Sequence, residues 1–340
     1  MHSFRSLTVA LNIALNIVLT AAFSVATGVA ASVAASSVAH AQAYPNKAIK
    51  AIVPFAPGSA TDQTARAFAA KMSESLGQTI VIENKPGANG MIGADAVAKA
   101  APDGYTILFG TNSTNAALKS LMKKLPYDQD TAFTPIAFMS SVPLIVAVNN
   151  DFPAKTLAEL IAMAKAKPGI ITFATASTSQ RISSEMLAAM AGIKLTHVPY
   201  KSGPAAMTDL ISGQVNMFTA DLAVMLPQVK GGKVRALALT AAKRSPSIPE
   251  LPTVAEAAGL KDYELIAFFA AYAPAGTPRE AVLKLNEAVN RATRDEELLK
   301  RLATMGMETA PGTPEALGQR TASEAVKWAK AVKDAGIEPE

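Results

Sequence analysis

The segment FAPGSATD, residues 55–62, is the part of this chain best suited to hold a small ligand, because it places a glycine, two hydroxyls and a carboxylate where a strand passes into a helix. Gly58 lets the backbone approach a bound group, and Ser59 and Thr61 supply hydroxyls. The first turn of the following helix directs unpaired N–H groups toward an anion. This pattern suits a carboxylate; an ordinary helix start capped by Thr61 or Asp62 gives the same residues and stays open as the alternative. Two more polar segments, residues 110–115 and 176–180, each follow a strand and are expected to be loops lining the same cleft, although serine and threonine also serve as routine caps.

Other chemistry finds little support. His197 is the only histidine after residue 43, the chain has no cysteine, and neither a GxSxG elbow nor a Walker loop is present. Ser-His-Asp catalysis would therefore rest on His197 alone, which by pattern is a structural strand residue, and zinc sites built from several His or Cys ligands are excluded. Gly87, Gly90 and Gly93 are spaced GxxGxxG, which reads as turn chemistry rather than a dinucleotide fingerprint. Asp62 and Asp221 are candidate magnesium ligands only in isolation, since no tight acidic cluster accompanies them. Removing Arg5 with the leader leaves a small excess of basic over 27 acidic side chains, enough to favour an anion weakly. No basic block or basic-aromatic cluster occurs, which excludes nucleic-acid binding.

The elements that must position these residues follow an αβ rhythm. Residues 1–43 carry one basic side chain, Arg5, then a long apolar run ending in Ala41, Gln42 and Ala43, the order of a cleaved secretory signal; an uncleaved anchor is the alternative. The mature chain from Tyr44 alternates short β-branched runs with alanine-rich helical stretches, which predicts strands joined through helices into mainly parallel sheets. Strands are predicted at residues 49–55, 79–83, 105–109, 143–149, 172–174, 195–198, 217–219, 236–240 and 265–273. Helices are predicted at 61–76, 92–100, 183–191, 205–212 and 224–230. Two more are expected to open at caps, Thr156 with Glu159 and Thr277 with Glu280, and two further helices end the chain. The runs at 143–149 and 265–273 bracket the second αβ series, so the chain leaves one domain and later returns to it. The expected architecture is α/β, a two-lobed clamshell with two crossing hinge strands: residues 44–144 plus 270–340 form lobe 1 and residues 145–269 form lobe 2, with the ligand between them.

In ordered segments the chain resembles the Bug family, the periplasmic solute-binding receptors of tripartite tricarboxylate transporters. The segments are YPNKAIKAIVPFAPGSATD, IENKPGANGMIGADAVAKAAPDGYTILFGT, LPYD, HVPYK, AAKRSP, PTVAEA and APAGTP, and the resemblance runs from Tyr44 to Glu340. The resemblance implies a periplasmic-binding-protein fold that closes on a small organic carboxylate and hands it to membrane permease subunits. It also places the first anion-binding loop on Pro57, Gly58, Ser59, Ala60, Thr61 and Asp62, with Phe55 as a pocket wall, and the second on Thr111 and Asn112. On the other lobe it implies a serine-rich loop at Ser177, Thr178 and Ser179, with Tyr200 after the His197 strand and Asp221 at an acidic position after the next strand. An ionised Asp221 would accept a ligand amine or hydroxyl and disfavour a second carboxylate, with a helix cap as the alternative. Three departures bear on the ligand. Ser59 stands where a second glycine is frequent, the Ser177 loop is shorter than usual, and Arg181 stands where histidine is common. Arg181 would grip a distal carboxylate if it faced the cleft, or else is an exposed arginine near a helix start.

A monomeric receptor that needs no cofactor is therefore expected, acting in the periplasm in transport. A ligand-presenting sensory receptor is the runner-up, and a small hydrolase dependent on His197 is the third reading.

Overall fold

A computed structural model describes residues 44–339; the expected signal segment, residues 1–43, lies outside them. The first strand, β1 (Ile49–Val53), is almost wholly buried and lies parallel between β2 (Ile80–Asn84) and β3 (Thr106–Thr111). Helix α1 (Ala60–Leu76) joins β1 to β2. Ser59 Oγ caps it by accepting the Asp62 N–H, and it stops at Gly77, whose φ of 64° suits the left-handed terminus. A 3₁₀ turn at Ala88–Gly90 leads into α2 (Met91–Ala98). After β3 the chain enters a π-helical turn, Ser113–Ala117, and a short α3 (Leu118–Leu121). The segment expected to be a polar loop at 110–115 is thus a strand end followed by a π turn.

Strand β4 (Phe133–Asn149) runs for 17 residues and starts ten residues before the expected strand. Pro135, Ser140 and Ser141 hide its first half from any alternating pattern, and two register shifts, at Pro135/Ala137 and Phe138/Ser140, absorb the irregularity. There follow α4 (Leu157–Ala166), β5 (Thr172–Thr175), α5 (Thr178–Ala191), β6 (Thr196–Pro199), α6 (Gly203–Ser212), β7 (Met217–Asp221), α7 (Leu222–Lys230) and β8 (Val234–Leu239). Then come α8 (Val254–Ala258), β9 (Ile266–Pro274), α9 (Arg279–Ala292), α10 (Glu296–Thr304) and α11 (Pro314–Asp334). Helix α5 begins five residues before its expected start because Ser177 caps it, which turns the supposed loop 176–180 into a helix N-terminus.

Two expected capping boxes differ in detail. Thr156 accepts the Glu159 N–H, but the Glu159 carboxylate accepts from Lys155 N–H instead of Thr156. Thr277 donates to Pro274 O and caps nothing, so α9 starts from Pro278. A complete box forms at Thr253 and Glu256 and opens α8, which periodicity alone did not reveal.

The strand order is β2-β1-β3-β9-β4-β7-β5-β6, with β8 on β4. Up to Pro143, β4 runs antiparallel to β9; from Leu144 onward it runs antiparallel to β7 and β8. One strand therefore serves two sheets. At the switch, the fully buried Thr240 hydroxyl accepts the Leu144 N–H at 2.8 Å and donates to Leu265 O at 2.6 Å, tying the crossing strand to the segment that enters β9. The main hydrophobic core runs unbroken from Ile49, Phe68 and Phe109 beside the first sheet to Phe218 and Leu222 beside the second.

Candidate functional site

Parallel strands of both sheets end toward one cavity, and the segments that follow β1, β3, β5, β6 and β7 line it. This is where ligands of open α/β sheets sit. The cavity is about 40 Å³ and adjoins a groove of about 360 Å³ between α1, α6 and α7, with Ser59, Ala60, Gln180, Gly203 and Asp221 common to both. Larger grooves of about 500 and 690 Å³ run along α11, but of these segments they meet only Asn115 and Ala116 after β3.

From the β1 side come Phe55, Ser59, Ala60 and Thr61. Ala60 and Thr61 are the first two residues of α1, so their N–H groups have no helical acceptor. Pro57, Gly58 and Asp62 do not line the cavity. Gly58 adopts φ 82°, which a side chain would strain, and lies against Pro204 in the adjoining groove. Asp62 turns inward to brace the loop. Its carboxylate accepts the Gly58 N–H at 3.0 Å, Asn84 Nδ2 at 2.9 Å and Arg66 Nε at 3.0 Å. Burial opposes its ionisation, but Arg66, the Gly58 N–H and Asn84 outweigh burial and hold the carboxyl below its ordinary range.

From β3 come Thr111, Asn112 and Ser113. The Asn112 amide is spent on β9, donating to Ile266 O at 3.0 Å and accepting from Phe268 N–H at 3.4 Å. It therefore fixes the end of β3. The Ser113 hydroxyl donates to Ser179 Oγ and accepts the Ser179 N–H, both at 3.0 Å, so it ties the π turn to the start of α5.

Ser177, Ser179 and Gln180 line the cavity from α5. Thr178 is fully buried and points elsewhere, and Arg181 also lies off the lining, where its charge acts on Glu185 one turn on. Tyr200 is likewise outside: its hydroxyl donates to Asp209 at 2.8 Å, and burial followed by the Asp209 charge pushes it up to about 12. The residues after it, Lys201, Ser202 and Gly203, take the place in the lining that sequence reasoning gave to Tyr200. The signal was present in Ser202-Gly203-Pro204, a cap residue followed by an N-terminal proline. Ser113 and Gln180 were also missed, although both fall inside the two polar segments singled out from sequence.

Asp221 ends β7 and precedes α7. It lines the cavity but makes no side-chain cap bond, and no neighbouring charge contributes to its titration. Burial pushes its carboxyl up to about 6, offset only in part by its own N–H. His197 sits apart, stacked on Phe173 at 5.1 Å with Nε2 held 2.6 Å from Thr175 Oγ1.

Four helices of nine residues or more, α1, α5, α6 and α7, begin at this cavity, and Lys201 is the one cationic residue of its lining. Helix starts carry partial positive charge and unpaired N–H groups, so the arrangement suits an anion. No group of three or more His, Cys, Asp or Glu side chains able to hold a metal occurs among the described residues.

Residues 64–337 match the family model described as "Tripartite tricarboxylate transporter family receptor". The protein BugT of Bordetella pertussis is 34% identical over 299 residues, covering 87% of this chain and 91% of BugT. Among solved structures, R. palustris Rpa4515 with adipate superposes with a TM-score of 0.85 at 35% identity, covering 87% of this chain and 100% of that one. MatC (Rpa3494) from Rhodopseudomonas palustris with bound malate gives a TM-score of 0.81 at 34% identity, with 85% and 100% coverage.

Proposed function

The chain belongs to the tripartite tricarboxylate transporter receptor family, the Bug receptors, and on that premise we propose that it captures a small organic carboxylate in the cavity at the strand ends and delivers it to membrane permease subunits. The observation that carries this reading is the convergence of four helix starts and Lys201 on one cavity. One carboxylate seats at the start of α1, against the Ala60 and Thr61 N–H groups and the Thr111 hydroxyl. A second group reaches the start of α6 and Lys201. Residues 44–144 with 270–340 and residues 145–269 act as two lobes that close over the solute, turning about β4 and the entry to β9. Closure is favoured by contacts available only when both lobes touch the ligand. The protein works in the periplasm after cleavage of its leader, and it leaves the solute chemically unchanged.

The test is thermal stabilisation of ligand-stripped protein by di-, tri- and aromatic carboxylates, each paired with its ester or amide. A ligand at a hundredfold excess over Kd adds about 2.7 kcal/mol of stability. A shift for one acid that is absent for its ester supports the reading; no shift for any acid, or turnover of an acid derivative that His197→Gln abolishes, refutes it.

A further inference from the structure

We infer that Asp221 enters the complex as the neutral acid and donates its proton in a hydrogen bond to a carboxylate of the solute, so that capture of a dicarboxylate takes up one proton. The inference rests on the proposed carboxylate site and specifies how that site tolerates an acidic side chain within it.

The geometry leaves Asp221 without a structural task. It is the N-cap residue of α7, yet its side chain caps nothing, and it lines both the cavity and the adjoining groove. The charges on neighbouring elements are engaged elsewhere. Asp62 of α1 is bonded to Arg66, Arg181 of α5 acts on Glu185, Asp209 of α6 holds the Tyr200 hydroxyl, and His197 of β6 holds Thr175. Across β4 the register partner of Asp221 is the apolar Leu144, and the adjoining groove contributes no other titratable side chain. Lys201 is the only other titratable residue of the lining, and it does not count among the influences on Asp221.

The helix starts around the cavity draw an anion into the space that Asp221 lines. A carboxylate seated there meets either a second negative charge in a half-buried space or, once that oxygen is protonated, a hydrogen-bond donor. Burial has already lifted this carboxyl to about 6, and a bound anion lifts it further. The sign follows: a group whose pKa is higher in the complex than in the free receptor strengthens binding below the free value and weakens it as pH rises toward the bound value. An ammonium-bearing acid behaves oppositely, since it pairs with the ionised form and leaves no proton to take up. The expectation that Asp221 excludes a second carboxylate is thereby replaced by selection of dicarboxylates through a shared proton.

The experiment is titration calorimetry of the full receptor with adipate, malate and L-aspartate between pH 6.5 and 8.5, in buffers of different ionisation enthalpy. For adipate or malate the expected result is uptake approaching one proton and an affinity that falls about tenfold per pH unit above the free pKa. Asp221→Asn, which donates from its amide at every pH, should flatten the slope and bind at least tenfold more tightly than wild type at pH 8.5, while His197→Gln should keep the slope. Binding of adipate or malate without proton uptake overturns the inference, as does a slope that disappears in His197→Gln or preferential binding of L-aspartate. If Asp221→Asn fails to fold, proton uptake by the wild type decides alone. If no carboxylate binds, the proposed function falls and takes this inference with it.

Discussion

Replacing Asp62 by alanine separates a structural brace from a ligand contact. The carboxylate accepts the Gly58 N–H and Asn84 Nδ2 inside the loop, and its residue is only 3% exposed. Two such hydrogen bonds to a charged acceptor contribute about 1.5 kcal/mol each. The Arg66 side chain is half exposed, so its pairing adds less than about 1 kcal/mol. Asp62→Ala should therefore lower stability by about 3 kcal/mol, which in a chain of this length is a fall of about 5 °C in Tm. Because the folded carboxyl is held below its ordinary range, its contribution is complete above the unfolded carboxylate range, near about pH 4, and is lost as pH falls through the lower folded value. The difference between wild type and variant should thus narrow in acid. Urea unfolding at pH 7 and pH 3, with carboxylate titration at a temperature where both proteins are folded, makes the comparison. A variant that keeps wild-type stability yet loses binding would refute the brace and restore Asp62 to the ligand.

Thr240→Val leaves the Leu144 N–H and Leu265 O without their buried partner and should cost about 2–3 kcal/mol in urea unfolding. Lys201→Ala should weaken carboxylate binding about tenfold in calorimetry, the loss of one charge-assisted contact, without lowering Tm. Gly110→Ala would place a methyl 2.4 Å from Asn115 Oδ1, and the π turn must shift to admit it. The expected cost is about 1–3 kcal/mol, accompanied by weaker binding because Asn112 and Ser113 move with the turn.

Much of this arrangement was legible in the sequence. The αβ alternation gave the order of strands and helices, and Gly77 marked the end of α1. The segment around Ser59 and Thr61 reached the cavity because a strand end, a glycine and a helix start leave the backbone few other routes. What escaped was set by partners distant in sequence. Asp62 looks like a ligand residue until Asn84, 22 residues on, takes its lone pair, and Tyr200 looks like a cavity wall until Asp209 takes its hydroxyl. Ser113 matters because it meets Ser179, 66 residues away, a pairing that no local pattern encodes. The first half of β4 was invisible because pairing with β9 overrides a sequence broken by Pro135 and two serines.

The continuity of β4 also governs the order in which the chain can complete itself. As it emerges during synthesis, residues up to Leu239 already contain every partner that the second sheet needs. The first sheet still lacks β9, so β3 and the first half of β4 keep open edges until residue 274 has appeared. Pairings across more than 100 residues close late, because loop closure must be met before they contribute. A cut between Pro143 and Leu144 would therefore leave the second sheet's half of β4 beside β7 and β8 but part the first sheet's half from β9, so residues 44–143 end without the strand that joins β3 to β4.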